Sequence, residues 1–197
     1  HKGTVDLMRM AKAEGISVSA EVCPHHFTLS TDDITEDHGR FKMNPPLREM
    51  EDVEALRQGL KEGVMEAIST DHAPHSVEEK DVPMRKAAFG IVGLETSAAL
   101  TYTELVEGGV LTPMQMAERM SFAPANSGIE GQRFCIRGKD RGSGCLRSSR
   151  EYEIDTDTFF SKGKNTPFDG WKVKGDVKYT LVDGNVVYKN QAYEEQE

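Results

Sequence analysis

Apolar and polar positions follow two different periods along the first third of the chain. Residues 2–15 and 51–63 each carry an apolar stripe at helical spacing and end at a glycine, which commonly follows a helix C-terminus. Residues 16–22 alternate apolar and polar side chains and are rich in β-branched residues, which favours a strand. The run 64–68, apolar except for Glu66, indicates a second, buried strand. Helices and strands therefore alternate, which favours a parallel barrel or a doubly wound sheet.

The middle of the chain predicts two further helices and a glycine-containing segment. Glu95–Glu107 has helical spacing and ends at two glycines, and a capping box at Thr112, followed by a proline, begins a short helix. The apolar run Phe89–Thr96 contains Gly90 and Gly93. Glycines at this spacing permit close approach of the backbone, either to a ligand or to a neighbouring helix.

The last quarter of the chain changes to short strands. The predicted strands are Tyr152–Ile154, Trp171–Val173, Val177–Val182 and Val186–Tyr188. Asp183-Gly184 between the last two is a strong hairpin pattern. We interpret residues 151–190 as a small structural β-subdomain and residues 191–197, which are rich in glutamate, as a solvated tail.

Composition and charge exclude several classes of partner. The 197 residues carry a net charge of −9, which is unfavourable for a nucleic-acid groove or an anionic membrane surface. No apolar run approaches the roughly 20 residues of a membrane span, and the first residues do not resemble a signal peptide. Three cysteines without paired spacing indicate a reducing, cytoplasmic setting rather than a disulfide framework.

An acid and two histidines follow the predicted strand 64–68, in the run Asp71-His72-Ala73-Pro74-His75. In parallel sheets, catalytic and ligand-binding side chains commonly follow the carboxyl ends of the strands. Asp71 can serve as a metal ligand or a general base, and His72 and His75 as ligands, proton carriers or anion binders. The alternative is a polar turn in which Asp71 caps the next segment.

Two other segments carry candidate binding residues. The predicted strand ending at Val22 leads into Cys23-Pro24-His25-His26, a second strand followed by histidines, for which a loop with surface histidines is the alternative. In Lys42–Arg48, two consecutive prolines fix an extended backbone. Asn44 and Arg48 are then rigidly placed to hold a polar ligand, unless the segment is only a stiff connector.

Together these motifs resemble a bacterial-type dihydroorotase of the amidohydrolase superfamily. The resemblance rests on EVCPHH, KMNPPLR, STDHAPHSVEEK, FGIVGLET, SFAPA and SKGKNTPFDGWKVKG in this order, and runs from Lys2 to about Gly128 and from Glu151 to about Tyr188. Hydantoinases and allantoinases share the Asp-His-Ala-Pro-His theme. However, Lys42–Arg48 and Asn165–Phe168 are more similar to dihydroorotase.

The resemblance implies a fold, a reaction and partners. The implied fold is α/β, with residues 1–128 as the C-terminal part of a (β/α)8 TIM-type barrel and 151–190 within a small β-sandwich subdomain. The implied reaction is the reversible conversion of N-carbamoyl-L-aspartate to (S)-dihydroorotate and water in pyrimidine biosynthesis, with one or two zinc ions. The implied assembly is a homodimer or a complex with aspartate transcarbamoylase.

The resemblance also implies roles for individual residues. Asp71 corresponds to the aspartate that contacts the metal and carries a proton between the attacking oxygen and the ring nitrogen. His75 corresponds to a residue that holds the substrate carboxylate, and Asn44 to one that contacts the pyrimidine ring. The backbone around Val92 and Gly93 is expected to close over the ring. The family draws no metal ligand from the segment that contains His25 and His26.

Several family ligands are absent from the chain and are expected upstream of residue 1. His1 stands where the family has a threonine, so either the ligand histidine lies three residues upstream or His1 is its displaced remnant. We therefore expect an incomplete chain with negligible activity alone. A hydantoinase or allantoinase remains an alternative enzyme, and a dihydroorotase-like subunit without catalysis an alternative outside enzymes. A His-x-His-x-Arg run upstream would favour the enzyme.

Residues 129–150 depart from the family pattern. The family has a small strand pair there, whereas this chain has a Gly/Arg/Ser-rich stretch that cannot bury a strand face. A reading-frame error in the source sequence is our hypothesis for this abrupt loss and recovery of pattern. Resequencing the coding DNA tests it, since a clean read without compensating insertions or deletions contradicts it.

Overall fold

The computed structural model describes residues 1–126 and 142–192. The helices are α1 (Lys2–Ala13), α2 (Pro24–Thr28), α3 (Met50–Glu62), α4 (Val77–Lys80), α5 (Ser97–Thr101), α6 (Pro113–Ala117) and α7 (Ala123–Asn126). The strands are β1 (Glu21–Val22), β2 (Ala67–Ile68), β3 (Gly142–Glu153), β4 (Lys172–Val182) and β5 (Asn185–Lys189). The mixed α/β content agrees with the predicted fold class. Within the described residues, no helix combines the length and apolarity needed to cross a bilayer.

The helices follow the apolar periodicity, and their ends follow the capping residues. Helix α3 ends at Gly63, whose φ of 78° is the left-handed conformation that closes a helix at low cost in glycine. The Thr112 hydroxyl accepts a hydrogen bond from the Gln115 amide, which forms the predicted capping box of α6. Helix α5 continues as a π-helical stretch over Tyr102–Glu107, so the predicted helix ends where expected.

Strands β1 and β2 pair in parallel, with Glu21 opposite Ala67 and Val22 opposite Ile68. Both are much shorter than the predicted spans 16–22 and 64–68. A regular strand needs a hydrogen-bonded neighbour, and no described residue pairs with 16–20 as a strand. Ile16 and Val18 are correspondingly exposed, at 51% and 36% of their surface.

Strands β3, β4 and β5 form an antiparallel sheet in that order. The predicted hairpin is present: Val182 pairs with Asn185, and Asp183 and Gly184 have positive φ angles of 50° and 79°. In the predicted anomalous segment 129–150, residues 129–141 lie outside the described residues, and β3 begins at Gly142. Its residues 144–149 are exposed, so this part of β3 buries neither face. Residues 193–197 of the predicted tail are also outside the described range.

Two apolar clusters stabilise these elements. The first joins α1, α3 and the parallel strands: Val5, Val22, Phe27, Leu56, Leu60, Met65, Ile68, Leu105 and Leu111. The second joins the segments beyond the strands to the antiparallel sheet: Leu29, Met43, Leu47, Ile91, Ala99, Leu100, Ile154, Phe168 and Val173. The second cluster contains Met43 and Ile91, which adjoin the predicted binding residues Asn44 and Val92 in the chain.

Candidate active site

The carboxyl ends of β1 and β2 lie at one edge, because the two strands are parallel and paired. We call residues 23–26 and 69–75, which follow these strands, the strand-end edge. The Cys23 sulfur lies 3.5 Å from the Ser69 hydroxyl oxygen and joins the two segments. The edge therefore brings together the two strand-plus-histidine motifs that the sequence contains.

Asp71 lies at this edge with a strained backbone. Its φ of 51° is in the left-handed region, which costs a residue with a side chain about 1 kcal/mol or more. Its side chain is exposed and makes no hydrogen bond or ion pair with any residue that the structure describes. Its charge nevertheless reaches Cys23 and His26, because it opposes the fall in the pKa of His26 and adds to the rise in the pKa of Cys23. A strained, exposed carboxylate is typical of a functional position.

Of the histidines of the first motif, His25 is buried and His26 is half-buried. Burial lowers the pKa of His25 to about 3, and the neighbouring His26 adds to the effect. Burial also lowers the pKa of His26, against the opposing effects of the Pro45 carbonyl and Asp71. Asp71 and His26 are thus close enough to interact through their charges. The alternative of two surface histidines is wrong for this segment.

Asn44 is exposed in a segment that is anchored on both sides. The His26 Nε2 atom donates a hydrogen bond of 2.8 Å to the Pro45 carbonyl, and the Gly90 amide donates one of 3.0 Å to the Lys42 carbonyl. Met43 is buried in the second apolar cluster. These anchors fix the backbone around Asn44 and leave its amide side chain free to face a ligand.

His75 is tied to three neighbours. Its backbone amide donates to Asn165 Oδ1 at 3.0 Å, and its ring Nε2 donates to the Phe89 carbonyl at 2.8 Å. Its Nδ1 lies 3.4 Å from Glu79 Oε2. The ring is therefore held in one orientation, and binding a substrate carboxylate would require it to exchange one of these partners.

Val92 and Gly93 are buried, and the protein already binds their amides. The Val92 amide donates to the Asn165 carbonyl at 3.0 Å, and the Gly93 amide donates to His72 Nδ1 at 3.1 Å. A Cβ atom on Gly93 would lie 3.0 Å from the Thr70 carbonyl oxygen. The close approach permitted by the glycines is therefore to the strand-end edge itself, and not to a neighbouring helix.

The sequence did not reveal two residues that hold this site together. The Asn165 amide group donates to the carbonyls of Ala73 at 3.1 Å and Gly90 at 3.2 Å, and it accepts from the His75 amide. Lys80 is 3% exposed, and its ammonium group donates to three carbonyls, which belong to Lys42, Ala88 and Gly90. Asn165 lies in a motif that carries the family resemblance, and this was the one indication of its importance.

Replacing Asn165 with alanine is expected to destabilise the chain by about 2 kcal/mol, because three part-buried hydrogen bonds disappear and the backbone groups of Ala73, His75 and Gly90 lose their partner. Urea unfolding of the original chain and of the variant measures this difference, and the slope of the free energy of unfolding against urea concentration should be the same for both. Asn185→Ala, at an exposed position of the β4–β5 hairpin, is the control and should stay within about 0.5 kcal/mol. An equal effect of both substitutions would contradict the bridging role of Asn165.

Comparison with curated proteins confirms the family resemblance. The chain is 46% identical over 192 residues to the dihydroorotase of Bacillus cytotoxicus, and the match covers 97% of this chain and 45% of that protein. It is 45% identical over 198 residues to the dihydroorotase of Caldanaerobacter subterraneus subsp. tengcongensis, and covers 46% of it. The chain thus spans about half the length of the curated relatives it matches. No family model matches it.

Solved structures of hydantoinases have the same arrangement of elements. The L-hydantoinase (dihydropyrimidinase) from Arthrobacter aurescens matches with a TM-score of 0.87 and 31% identity, over 95% of this chain and 43% of that one. A D-hydantoinase matches with a TM-score of 0.86 at 22% identity, which supports the fold alone. The curated relatives are thus dihydroorotases, whereas the similar solved structures are hydantoinases.

Proposed function

We propose that this chain, a homologue of the dihydroorotases along its whole length, forms one wall of an active site that interconverts N-carbamoyl-L-aspartate and (S)-dihydroorotate. The observation that carries the proposal is Asp71, an exposed carboxylate on a strained backbone at the strand-end edge. The sequence similarity supplies the reaction, and the position of Asp71 supplies the residue that performs it.

The proposed fold is the C-terminal part of a (β/α)8 barrel followed by a small β-sandwich subdomain. The parallel pair β1–β2 is consistent with two adjacent barrel strands. Exposed Ile16 and Val18, just before β1, would be covered by a further strand. The antiparallel sheet β3–β4–β5 would supply one layer of the sandwich.

Zinc is the proposed cofactor, as one or two ions, and Asp71 is its ligand in this chain. The fit rests on its carboxylate, which has no hydrogen-bond or ion-pair partner among the described residues. Bound zinc would polarise the amide carbonyl and lower the pKa of a water molecule towards 7. His1 is exposed and its Nε2 lies 3.5 Å from the Thr4 hydroxyl, so we assign the other ligands to residues outside this chain rather than to His1.

Asp71 is proposed to carry the proton of the reaction. In the hydrolytic direction its carboxylate accepts a proton from the attacking water and donates it to the ring nitrogen that leaves the carbonyl. In the synthetic direction it accepts the proton from the carbamoyl nitrogen and returns it to the departing oxygen. An exposed carboxylate on a fixed backbone can reach both positions in turn, which general acid–base catalysis requires.

The substrate is proposed to contact Asn44, His75, and the backbone of Val92 and Gly93. Asn44 offers both a donor and an acceptor to the ring amide. His75 would bind the carboxylate after its ring releases the Phe89 carbonyl or moves from Glu79. Because the Val92 and Gly93 amides already donate hydrogen bonds within the protein, these two residues would contact the ring chiefly through van der Waals packing.

We also propose the assembly and the compartment that the family implies. The assembly is a homodimer or a complex with aspartate transcarbamoylase, and Leu7 and Met10 on α1 are exposed apolar residues available for contacts with other elements or subunits. Among the described residues Cys23 and Cys145 are unpaired thiols, which suits a reducing cytoplasm. Light scattering with and without aspartate transcarbamoylase would measure both assemblies.

A chimera tests the reaction. Residues 1–197 would replace the matching part of the Bacillus cytotoxicus dihydroorotase, and the product would be assayed with zinc on dihydroorotate, hydantoin and allantoin. We expect dihydroorotate to be hydrolysed at least about 100-fold more efficiently than the other two, because polar groups placed to bind one substrate discriminate strongly against another that leaves them unpaired. Faster hydrolysis of hydantoin or allantoin would reassign the substrate.

Residues 1–197 alone are the control for the part of the proposed active site that the rest of the chimera supplies. We expect residues 1–197 with added zinc to show negligible turnover, since Asp71 is its one assigned ligand. Enzyme-like turnover by residues 1–197 alone would contradict the proposal that residues outside this chain complete the active site. A folded chimera that is inactive on all three substrates would favour a structural subunit.

A further inference from the structure

Three side chains with metal-binding atoms lie together immediately after β1. Cys23 precedes α2, and His25 and His26 lie within it. One donor atom from each side chain, a sulfur and two imidazole nitrogens, lies within 4.8 Å of the other two. Tetrahedral zinc holds sulfur and nitrogen ligands about 3.3–3.6 Å apart, so side-chain movements of about 1 Å would bring these atoms onto one ion.

His25 provides an independent indication of a ligand. It is 2% exposed, and its Nε2 atom is buried without a hydrogen-bond partner in the part of the chain that the structure describes. A buried polar atom without a partner costs roughly 1–3 kcal/mol. In the tautomer with its proton on Nδ1, the neutral ring has a lone pair at Nε2, and a metal ion bound there would remove this cost.

His26 is oriented in the way that metal-bound histidines commonly are. Its Nε2 atom lies 2.8 Å from the Pro45 carbonyl oxygen, which is an acceptor only, so Nε2 carries the proton. The lone pair of the neutral ring is therefore on Nδ1. A histidine ligand typically donates its other N–H to a backbone carbonyl in this manner, which fixes both its tautomer and its orientation.

Cys23 would supply the third ligand as a thiolate. Its sulfur contacts the Ser69 hydroxyl at 3.5 Å, a group that can donate to a thiolate. Burial raises the pKa of this thiol to about 11, so the thiol is protonated at neutral pH and one proton would pass to solvent when the metal binds.

We propose that Cys23, His25 and His26 form a binding site for one divalent cation of the zinc type, with a fourth position open to water or another ligand. Thiolate and imidazole donors select zinc, cadmium or cobalt over magnesium and calcium. The site uses none of the residues to which the proposed function assigns substrate or zinc. It therefore stands or falls independently of that function.

Cobalt titration tests the site directly. Co²⁺ bound to a thiolate absorbs in the near ultraviolet, whereas Co²⁺ on carboxylates such as Asp71 lacks this band. The titration uses residues 1–197 with Cys135 and Cys145 replaced by serine, so that Cys23 is the remaining thiol. We expect the band to saturate at one Co²⁺ per chain and to disappear when Zn²⁺ is added. Absence of the band in the folded chain would overturn the proposal.

Matched variants locate the ligands. Cys23→Ser should abolish the band, and His25→Ala should weaken Co²⁺ binding at least about tenfold, whereas His38→Ala, at the start of a distant turn, should leave binding unchanged. A synthetic peptide of residues 19–30 reports what the local sequence binds without the fold. Binding by the peptide as tight as by the chain would overturn a site built by the fold.

The chimera keeps the proposal testable if residues 1–197 do not fold alone. Circular dichroism decides which protein is used. In the folded chimera, dialysed against zinc, we expect one zinc ion more per chain than in its Cys23→Ser variant, whether or not the chimera is active. Equal zinc content in the two proteins would overturn the site.

Discussion

Replacing Asp71 with asparagine in the chimera is expected to lower the turnover of dihydroorotate by about 10³-fold or more, because the amide can neither accept nor return the proton. Asparagine has nearly the same shape and can retain the left-handed backbone, so the fold should be unaffected. Steady-state kinetics at saturating zinc measures the loss, and KM for dihydroorotate should change much less than kcat.

Asp32→Asn is the matched control for this substitution, because Asp32 is an exposed acid in a turn to which the proposed function assigns no residue. It should leave turnover unchanged. Zinc content must be measured in both variants, since loss of a ligand and loss of a proton carrier lower kcat alike. An Asp71→Asn enzyme that keeps its zinc and more than a tenth of its activity would remove Asp71 from catalysis.

Replacing Lys80 with methionine is expected to destabilise the chain by about 3–5 kcal/mol, because three backbone carbonyls lose their buried donor at once. Methionine has a similar length and keeps the apolar contacts of the stem. Urea unfolding measures the loss. Lys61→Met on the exposed face of α3 is the control and should stay within about 0.5 kcal/mol. Similar losses in both variants would contradict the special position of Lys80.

The role of Lys80 also predicts a pH dependence. Burial, together with the nearby charge of Lys42, lowers the pKa of Lys80 from 10.5 to about 8. Between these values the unfolded chain binds a proton that the folded chain has released. The contribution of Lys80 to the free energy of unfolding should therefore rise with pH in this window, by at most about 1.4 kcal/mol per pH unit, and should be flat below it. The Lys80→Met variant should lack this slope. Cys23, whose pKa is raised from 9.0 to about 11, contributes a slope of opposite sign above pH 9, so the Lys80 contribution is measured as the difference between the two chains.

Local patterns predicted the helices and turns because their causes are local. The apolar stripe of α3 and the glycine that follows it, Gly63, are sufficient to predict that helix and its end. The backbone preferences of Asp183-Gly184 are likewise sufficient to predict the hairpin. Asp71 could also be predicted as an exposed strand-end acid. A residue that directly follows a buried apolar run reaches the edge of the sheet whatever the rest of the fold does.

Long-range partners could not be predicted in the same way. Residues 16–20 have the composition of a strand but lack a described neighbour to pair with. Composition therefore predicted a longer strand than β1. Nothing in the sequence near Lys80 indicates that it donates to the carbonyl of Lys42, and nothing near Asn165 indicates that it holds His75. The burial of His25 and His26 likewise depends on segments distant in sequence, such as the one around Pro45.

The Asn165 bridge has a consequence for how this scaffold could be recombined. Asn165 follows His75 by 90 residues in the chain, yet its side chain and carbonyl bind Ala73, His75, Gly90 and Val92. A loop graft that exchanges residues 70–75 or 89–93 between relatives would therefore transfer the loop without the Asn165 segment that holds it. Libraries aimed at new ring specificity should inherit residues 163–168 from the same parent as the loops, even though that segment contributes no residue assigned to the substrate.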